Sequence, residues 1–338
     1  MSKNDLNIIV EANVPFVKGL LDPYARVSYL APAEITPDAV RSADAMIIRT
    51  RTRADEGLLV RSKCRLVATA TIGKDHINED YCRRAGITVV NAPGCNAPAV
   101  AQYVMSSVFS IINRPVSSYT VAIVGVGHVG SIVERWAKAF GMRVLLYDPP
   151  RQRTEGGDHW ASISQIATEA DIITFHTPLT RAGDDRTFHM VDEAFLGSLR
   201  RAPVLINSAR GEIFDTEAVV AARDAGKIGG LVVDCWEYEP RIDTGLLERC
   251  DIATPHIAGY SENGKIRASQ AVLDAVTTFF SLPRVLVDKP MPPAPPTSVT
   301  VDSLLATFDP SPLTAALKAS PETFEEQRNS YHLRPEAL

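Results

Sequence analysis

Short apolar runs alternate with amphipathic stretches along most of this 338-residue chain. IIV (8–10), AMIIR (45–49), RLVATA (65–70) and ITVVN (87–91) have strand length, with helix-like segments between them. That alternation predicts a parallel sheet. From 96 to 113 the period changes: Val100, Val104, Val108 and Ile111 recur at helical spacing behind Asn96, a suitable N-cap, and predict one long helix. A second series follows, VAIV (121–124), RVLLY (143–147), IITF (172–175), VLIN (204–207), LVVD (231–234) and DIAT (251–254). Six such runs with helical segments between most of them predict a doubly wound nucleotide-binding sheet. Residues 262–281 read as an amphipathic helix that returns the chain to the first unit. The expected fold class is α/β, with two doubly wound parallel-sheet domains. One comprises residues 1–113 and 262–285, the other residues 114–261. The remainder, 286–338, opens on the proline-rich DKPMPPAPPTS (288–298), an extended linker. It continues with a strand at SVTVDSLL and two short helices. That is too little for a core of its own, so a short α+β extension should pack on the body or on a second subunit.

Composition narrows the function classes. With 45% hydrophobic residues and a net charge of −5, the chain can bury full cores and has no bulk charge for nucleic acid or a bilayer. Its longest apolar-rich run, 97–112, contains Gln102 and serines and falls short of the roughly 18 residues of a membrane helix. The N-terminal run is too short for the apolar core of a signal peptide. Five cysteines with no CxxC pair suit reduced thiols, hence a cytoplasmic protein. The histidines show no HExxH spacing, and no metal site is expected.

The strongest local signal is VAIVGVGHVGSIVERWAKAFGMRVLLYD. Gly125, Gly127 and Gly130 form GxGxxG between a strand and a helix. The first glycine allows the tight turn. The second admits a pyrophosphate to backbone N–H groups, and the third seats the helix against the sheet. Asp148 closes the next strand, where a carboxylate binds ribose hydroxyls and repels a 2′-phosphate. NAD is therefore favoured over its 2′-phosphorylated form, a preference that nearby Arg151 tempers.

Three further residues follow successive strands: Arg210 in INSARG, Glu239 in DCWEYEP and His256 in TPHIAG. An alcohol dehydrogenation needs a base that titrates near neutrality, a carboxylate to orient it and a cation to hold the substrate. Histidine, glutamate and arginine supply these. Strand carboxyl ends are where ligands bind in such a sheet.

With the glycine loop, HTPLT (176–180), INSARG, DCWEYEP and TPHIAG in this order, the chain resembles the D-2-hydroxyacid dehydrogenase family. The resemblance implies a flavodoxin-like substrate domain, a Rossmann NAD domain and a C-terminal dimerisation extension. It implies Arg210 for the substrate carboxylate, Glu239 as the histidine's partner and His256 as acid/base. NAD would meet Gly125, Gly127, His128, Val129, Gly130, Asp148, Thr177, Ser208, Ala209, Asp234 and Gly259.

Substrate features point to a phosphorylated acid. In IIRTRTRADEG, Arg49, Arg51 and Arg53 would share one face of an extended chain and suit a phosphate. Gly73 and Thr71 of TATIGKDH offer donors, Lys74 adds a cation, and Tyr260 adds a phenol beyond His256. The segments VEANVPF, RTRTR, NAPGCNAPAVAQYV, PHIAGYSENGK and FEEQRNSYHLRPE extend the resemblance to a branch of the family over nearly the whole chain. That branch oxidises 4-phospho-D-erythronate at C2 on the route to pyridoxal 5′-phosphate. It implies substrate contacts at Thr50, Thr71 and Tyr260 and a homodimer. Thr50 stands where the branch leads one to expect serine. The alternatives are a dehydrogenase for 3-phosphoglycerate or hydroxypyruvate/glyoxylate, and a NAD-sensing corepressor-like protein.

Overall fold

The computed structural model describes residues 6–336 and holds two parallel sheets. The chain divides into two compact units. One runs to Asn96 and includes Glu262–Pro293, and the other is Ala97–Ser261 with the chain from Ala294 onward. These divisions differ from those expected at 113/114 and 285/286, for reasons of packing. The helix Ala97–Ile111 shares a core with the helix His128–Ala139 of the second unit. Val285 and Val287 belong to the core of the first, where the Gln270 carboxamide donates to the Val285 carbonyl and accepts the Val287 N–H, both at 2.9 Å.

In the first unit the strands are β1 (Asn7–Glu11), β2 (Arg26–Leu30), β3 (Ala45–Ile48), β4 (Leu66–Thr69) and β5 (Thr88–Val90), in the order β2-β1-β3-β4-β5. Ile8 and Val10 point to one face, against Val272, Leu273 and Val276 of the helix Glu262–Phe279. Ile9, Met46, Ile48 and Val67 point to the other, over Leu58, Leu59 and Cys82. Both faces are covered, which is why the central strands read as unbroken apolar runs. The edge strand β2, RVSYL, has no fully buried residue, and the hydrophobic pattern did not announce it.

The second unit contains β6 (Thr120–Val124), β7 (Arg143–Tyr147), β8 (Ile172–Phe175), β9 (Val204–Asn207), β10 (Gly230–Val233) and β11 (Ile252–Ala253). Their order is β11-β10-β9-β8-β6-β7, and Leu146 of β7 makes one further parallel bridge to Trp160. The chain reverses direction across the sheet between β7 and β8, which opens a crevice beyond the carboxyl ends of β6 and β8.

The C-terminal segment corrects an expectation. SVTVDSLL contains no strand: its second half begins the helix Val301–Thr307. The Thr300 hydroxyl accepts the Ser303 N–H and the Ser303 hydroxyl accepts the Thr300 N–H, both at 3.1 Å, a reciprocal cap that outweighs the β-branched composition. Helices Ser311–Ala319 and Phe324–Ser330 follow, and among the described residues the only β-bridge of the extension is the isolated Ser261–Arg334 pair. Among the described residues its regular elements are helices. Leu304 and Phe308 enter the core on one face of the β6–β11 sheet, Leu317 and Phe324 the core on the other. The helix Ser311–Ala319 also covers the edge strand β11. The Thr314 hydroxyl accepts the Ala253 N–H at 3.1 Å, and Lys318 donates to the Cys250 carbonyl at 2.6 Å. Asn96 does not cap its helix, because its Oδ1 is buried with no partner.

Candidate active site

The glycine loop joins β6 to the helix His128–Ala139. A Cβ on Gly130 would lie 2.2 Å from the Gly125 carbonyl oxygen, so only glycine lets this helix approach the strand. Gly127 and His128 are exposed at the helix start, with Val129 half-buried behind them. Asp148 ends β7 with its carboxylate turned to the loop: Oδ2 accepts the Val126 N–H at 2.8 Å, and Oδ1 accepts the Arg151 N–H at 3.1 Å, capping the helix Pro149–Glu155. Arg151 is engaged on every side. It binds Glu155 through Nε and Nη2 at 2.7 and 2.9 Å and the Val126 carbonyl through Nη1 at 2.5 Å. Its guanidinium is thereby occupied within the protein, by Glu155 and the Val126 carbonyl.

His176 and Thr177, beyond β8, lie directly against Gly125. Burial pushes His176 down to about 3, so its imidazole stays neutral. His176 Nδ1, Thr177 Oγ1 and, after β9, Ser208 Oγ are buried polar atoms with no partner in the chain. Buried polar groups are normally satisfied, so unpartnered ones at strand ends beside a glycine loop fit a dinucleotide that brings its own donors and acceptors.

His256 follows β11 in the left-handed region, at φ 56°. For a histidine that conformation needs support from its surroundings. Asp234 supplies it from the end of β10. Its carboxylate, 1% exposed, accepts the Thr254 hydroxyl and the Ile257 N–H at 2.7 Å on Oδ1 and the Ala258 N–H at 3.0 Å on Oδ2. Burial pushes the Asp234 carboxyl up. Asp234 thus straps the histidine loop from within the protein.

Glu239 meets the imidazole from the next loop. His256 Nδ1 lies 2.8 Å from Glu239 Oε2 and 3.0 Å from Oε1, and Oε1 also accepts the Trp236 N–H at 2.8 Å. Burial works against a charge on Glu239, and the adjoining imidazole outweighs it, so the carboxyl titrates below its usual value. Burial likewise opposes a charge on His256, but the Cys235 and Glu239 side chains carry its pKa well above the ordinary histidine value. Cys235 is itself pushed up by burial and stays a thiol near neutrality, which leaves the Glu239 carboxylate as the anion that matters. With Nδ1 held by Glu239, Nε2 is the nitrogen left for proton transfer.

Arg210 follows β9. Asn207 Nδ2 donates to its carbonyl at 2.9 Å, and its own Nη1 reaches the Ala209 carbonyl at 2.7 Å. A Cβ on Gly211 would lie 2.0 Å from the Trp236 carbonyl, so the arginine and glutamate loops run in backbone contact there. The second unit therefore brings its predicted residues together at the carboxyl ends of β6 to β11. Gly259 and Tyr260 close the histidine loop, with the Tyr260 N–H on the Ile257 carbonyl at 2.8 Å.

The first unit carries the remaining predicted residues at the ends of β3 and β4, and here one premise fails. Residues 49–53 are not extended. The Thr52 N–H returns to the Arg49 carbonyl at 3.3 Å, and Arg53 is exposed and paired with Asp55 at 2.7 Å. Three guanidinium groups do not line one face. Arg49 turns its Nη1 to the Asn13 carbonyl, with Nε buried and unpartnered, while Thr50 and Arg51 are exposed in the turn. The reason is Glu11, fully buried at the end of β1, whose Oε2 accepts the Arg49 N–H at 2.9 Å and the Thr52 hydroxyl at 2.7 Å. After β4, the Thr71 hydroxyl lies 2.7 Å from that of Thr69 and donates to the Gly73 carbonyl at 2.9 Å, folding this loop on itself. Lys74 is paired with Glu79 at 2.6 Å. Sequence reasoning missed Glu11 and Thr52, whose only signal is a carboxylate directly ending an apolar strand. It also missed Arg328 and Arg334 as individual residues. Among the described residues, no group of three or more His, Cys, Asp and Glu side chains is arranged to hold a metal ion.

A glycine loop, an arginine and a glutamate–histidine pair on one parallel sheet describe a nicotinamide-dependent dehydrogenase. The family model of the D-isomer specific 2-hydroxyacid dehydrogenase, NAD binding domain, matches residues 99–258, and the chain belongs to that family. It is 43% identical over 341 residues to the erythronate-4-phosphate dehydrogenase of Porphyromonas gingivalis, covering 96% of this chain and 92% of that one. It is 44% identical over 338 residues to the enzyme of the same name from Bacteroides thetaiotaomicron, covering 98% and 97%. The D-lactate dehydrogenase of Aquifex aeolicus, solved with NAD and lactic acid, superposes with a TM-score of 0.71 at 26% identity over 81% of this chain and 96% of that one.

Proposed function

We propose that this chain oxidises 4-phospho-D-erythronate at C2 to 2-oxo-3-hydroxy-4-phosphobutanoate with NAD, a step toward pyridoxal 5′-phosphate. The observation that carries the chemistry is the Glu239–His256 contact of 2.8 Å at a strand end of the NAD-binding unit. The near-full-length identity to enzymes named for this substrate supports the choice of acid. His256 Nε2 takes the C2 hydroxyl proton while Nδ1–H stays on Glu239, whose charge stabilises the imidazolium as it forms. Arg210 holds the substrate carboxylate with its planar fork and sets C2 in place. Bound NAD supplies the hydride acceptor. Thr177, Ser208, Ala209, Gly259 and the loop from Gly125 to Gly130 hold it, with Asp148 on the ribose. Asp234 acts through the loop it straps.

For the rest of the substrate we assign Thr50, Thr71, Gly73 and Tyr260, with Arg49 and Arg51 near the phosphate. Five buried thiols with no disulfide suit a reducing cytoplasm. A homodimer is the assembly we infer, supported by the exposed Leu305 and Leu333 of the C-terminal extension. A sedimentation mass of one chain would remove it.

The test is to supply the purified protein with NAD, a 2-keto acid as final acceptor, and 4-phospho-D-erythronate, 3-phosphoglycerate or unphosphorylated erythronate in turn. Keto product from the four-carbon phosphate alone is the expected result. Turnover confined to another acid would keep the catalytic residues and discard this substrate.

A further inference from the structure

The C-terminal extension brings a cation to the glutamate–histidine pair. Arg328, in the helix Phe324–Ser330, has a side chain only 19% exposed. Its Nε donates to the Tyr260 hydroxyl at 3.3 Å, and its Nη1 lies 3.9 Å from Glu239 Oε2 and 3.5 Å from Glu325 Oε1. Six residues on, Arg334 makes an instructive contrast. Its guanidinium donates to the carbonyls of Ala99, Ile257, Ala258 and Tyr260, to Gln102 Oε1 and to the Tyr331 hydroxyl. Arg334 is saturated by neutral acceptors and serves as a scaffold for the chain after His256. Arg328 instead faces a phenol and two carboxylates, one of them the partner of His256. A half-buried guanidinium is costly to desolvate, and its neighbours here are groups assigned to the site rather than to the core.

We propose that Arg328 is a positioning residue of the dehydrogenase reaction, which fixes Tyr260 and Glu239 and tunes the charge that Glu239 presents to His256. This rests on the acid/base assignment above. The groups that act on His256 are Asp234, Cys235 and Glu239, from the end of β10 and its loop; Arg328 faces Glu239 in turn, with Tyr260 of the histidine loop and Glu325 of the extension beside it. A cation beside Glu239 opposes a second positive charge on the imidazole. Its removal favours protonated His256, and the acid limb of oxidation, which needs neutral His256, moves to higher pH.

The experiment compares Arg328→Gln and Arg328→Lys in the full-length protein. It reads kcat and KM for NAD-dependent oxidation of 4-phospho-D-erythronate from pH 5 to 10, beside NAD affinity and thermal midpoint. Arg328→Gln should lower kcat by about 10–100-fold with NAD affinity intact, and its acid limb should lie at higher pH. Arg328→Lys, which keeps the charge, should leave the limb near its wild-type position. An unshifted limb in a folded Arg328→Gln protein overturns the proposal, as does the same limb shift in Arg328→Lys. Should Arg328→Gln not fold, Arg328→Met preserves the packed stem and is read in its place. Failure of both to fold makes Arg328 part of the scaffold and also overturns it. His256→Ala separates the two readings: normal turnover there sinks the acid/base assignment, whereas a dead His256→Ala beside an unaltered Arg328→Gln sinks only the role of Arg328.

Discussion

His256 shows how much of a site can be read from single residues and where that reading stops. Arg210, Glu239 and His256 stood out because each follows an apolar run at a strand end, where a charged side chain has few structural reasons to be. Glu11 lies at an equivalent place and passed unnoticed. Its task is to turn the chain at 49–52, and a bond between loops 38 residues apart leaves no local pattern. The arginines of RTRTR were legible as a basic cluster, but their shared face required an extended chain that Glu11 and Thr52 prevent. For His256 the prediction concerns Glu239→Gln. The wild-type imidazole is held above the ordinary histidine value by that carboxylate, so oxidation should rise with pH along a displaced limb. Neutralising Glu239 removes the anion that favours imidazolium, so the limb should move to lower pH. The plateau above it should fall by about 10²-fold as orientation is lost. The pH profile of kcat/KM decides it, and a limb that stays put would show that another group sets the pKa.

At the scale of elements, every strand buried on both faces was legible, and of the two strands with no fully buried residue β5 was read from its apolar run while β2 was not. β4 and β6 announce themselves because helices cover both sides of them. β2 does not, and the Val301–Thr307 helix hid behind β-branched residues because a reciprocal cap, not composition, sets its start. The glycine loop was legible as a motif, and the structure divides its glycines by duty. Gly130 serves the fold, since its Cβ would strike the Gly125 carbonyl at 2.2 Å. Gly127 is different. It has φ −79°, and a Cβ there would meet nothing within 4 Å. Gly127→Ala should therefore keep the wild-type thermal midpoint within a few degrees yet weaken NAD binding by about tenfold or more, because the added methyl occupies the space a pyrophosphate needs. Gly130→Ala should lower the midpoint and the affinity together. Calorimetry and NAD titration on both variants test the division. Normal NAD affinity in Gly127→Ala would place the phosphates elsewhere.

For the whole molecule, the sequence carried the two-sheet plan and the return of the chain at 262, but it misjudged the extension. Proline-rich composition reads as a linker, and what the chain beyond it packs against depends on contacts with residues 61 to 235 positions earlier. Those contacts make the extension part of the NAD-binding unit. Leu304 and Phe308 fill one core, Leu317 and Phe324 the opposite one, Ser311–Ala319 closes the edge of β11, and Arg334 secures the chain beyond His256. Truncating a buried phenylalanine costs about 3–5 kcal/mol, a large share of the roughly 5–15 kcal/mol that holds a domain together. Phe324→Ala alone should thus give a folded protein with a much lower thermal midpoint. Ending the chain after Pro293 forfeits all four apolar side chains at once and bares a strand edge on which other chains can pair. That truncated protein should fail to bind NAD and should aggregate, even though it keeps every residue from Gly125 to Tyr260. Light scattering and NAD titration distinguish the outcomes. A soluble truncation with native NAD affinity would mean that the extension is an appendage, and Phe324→Ala would then leave the midpoint of NAD-bound protein almost unmoved.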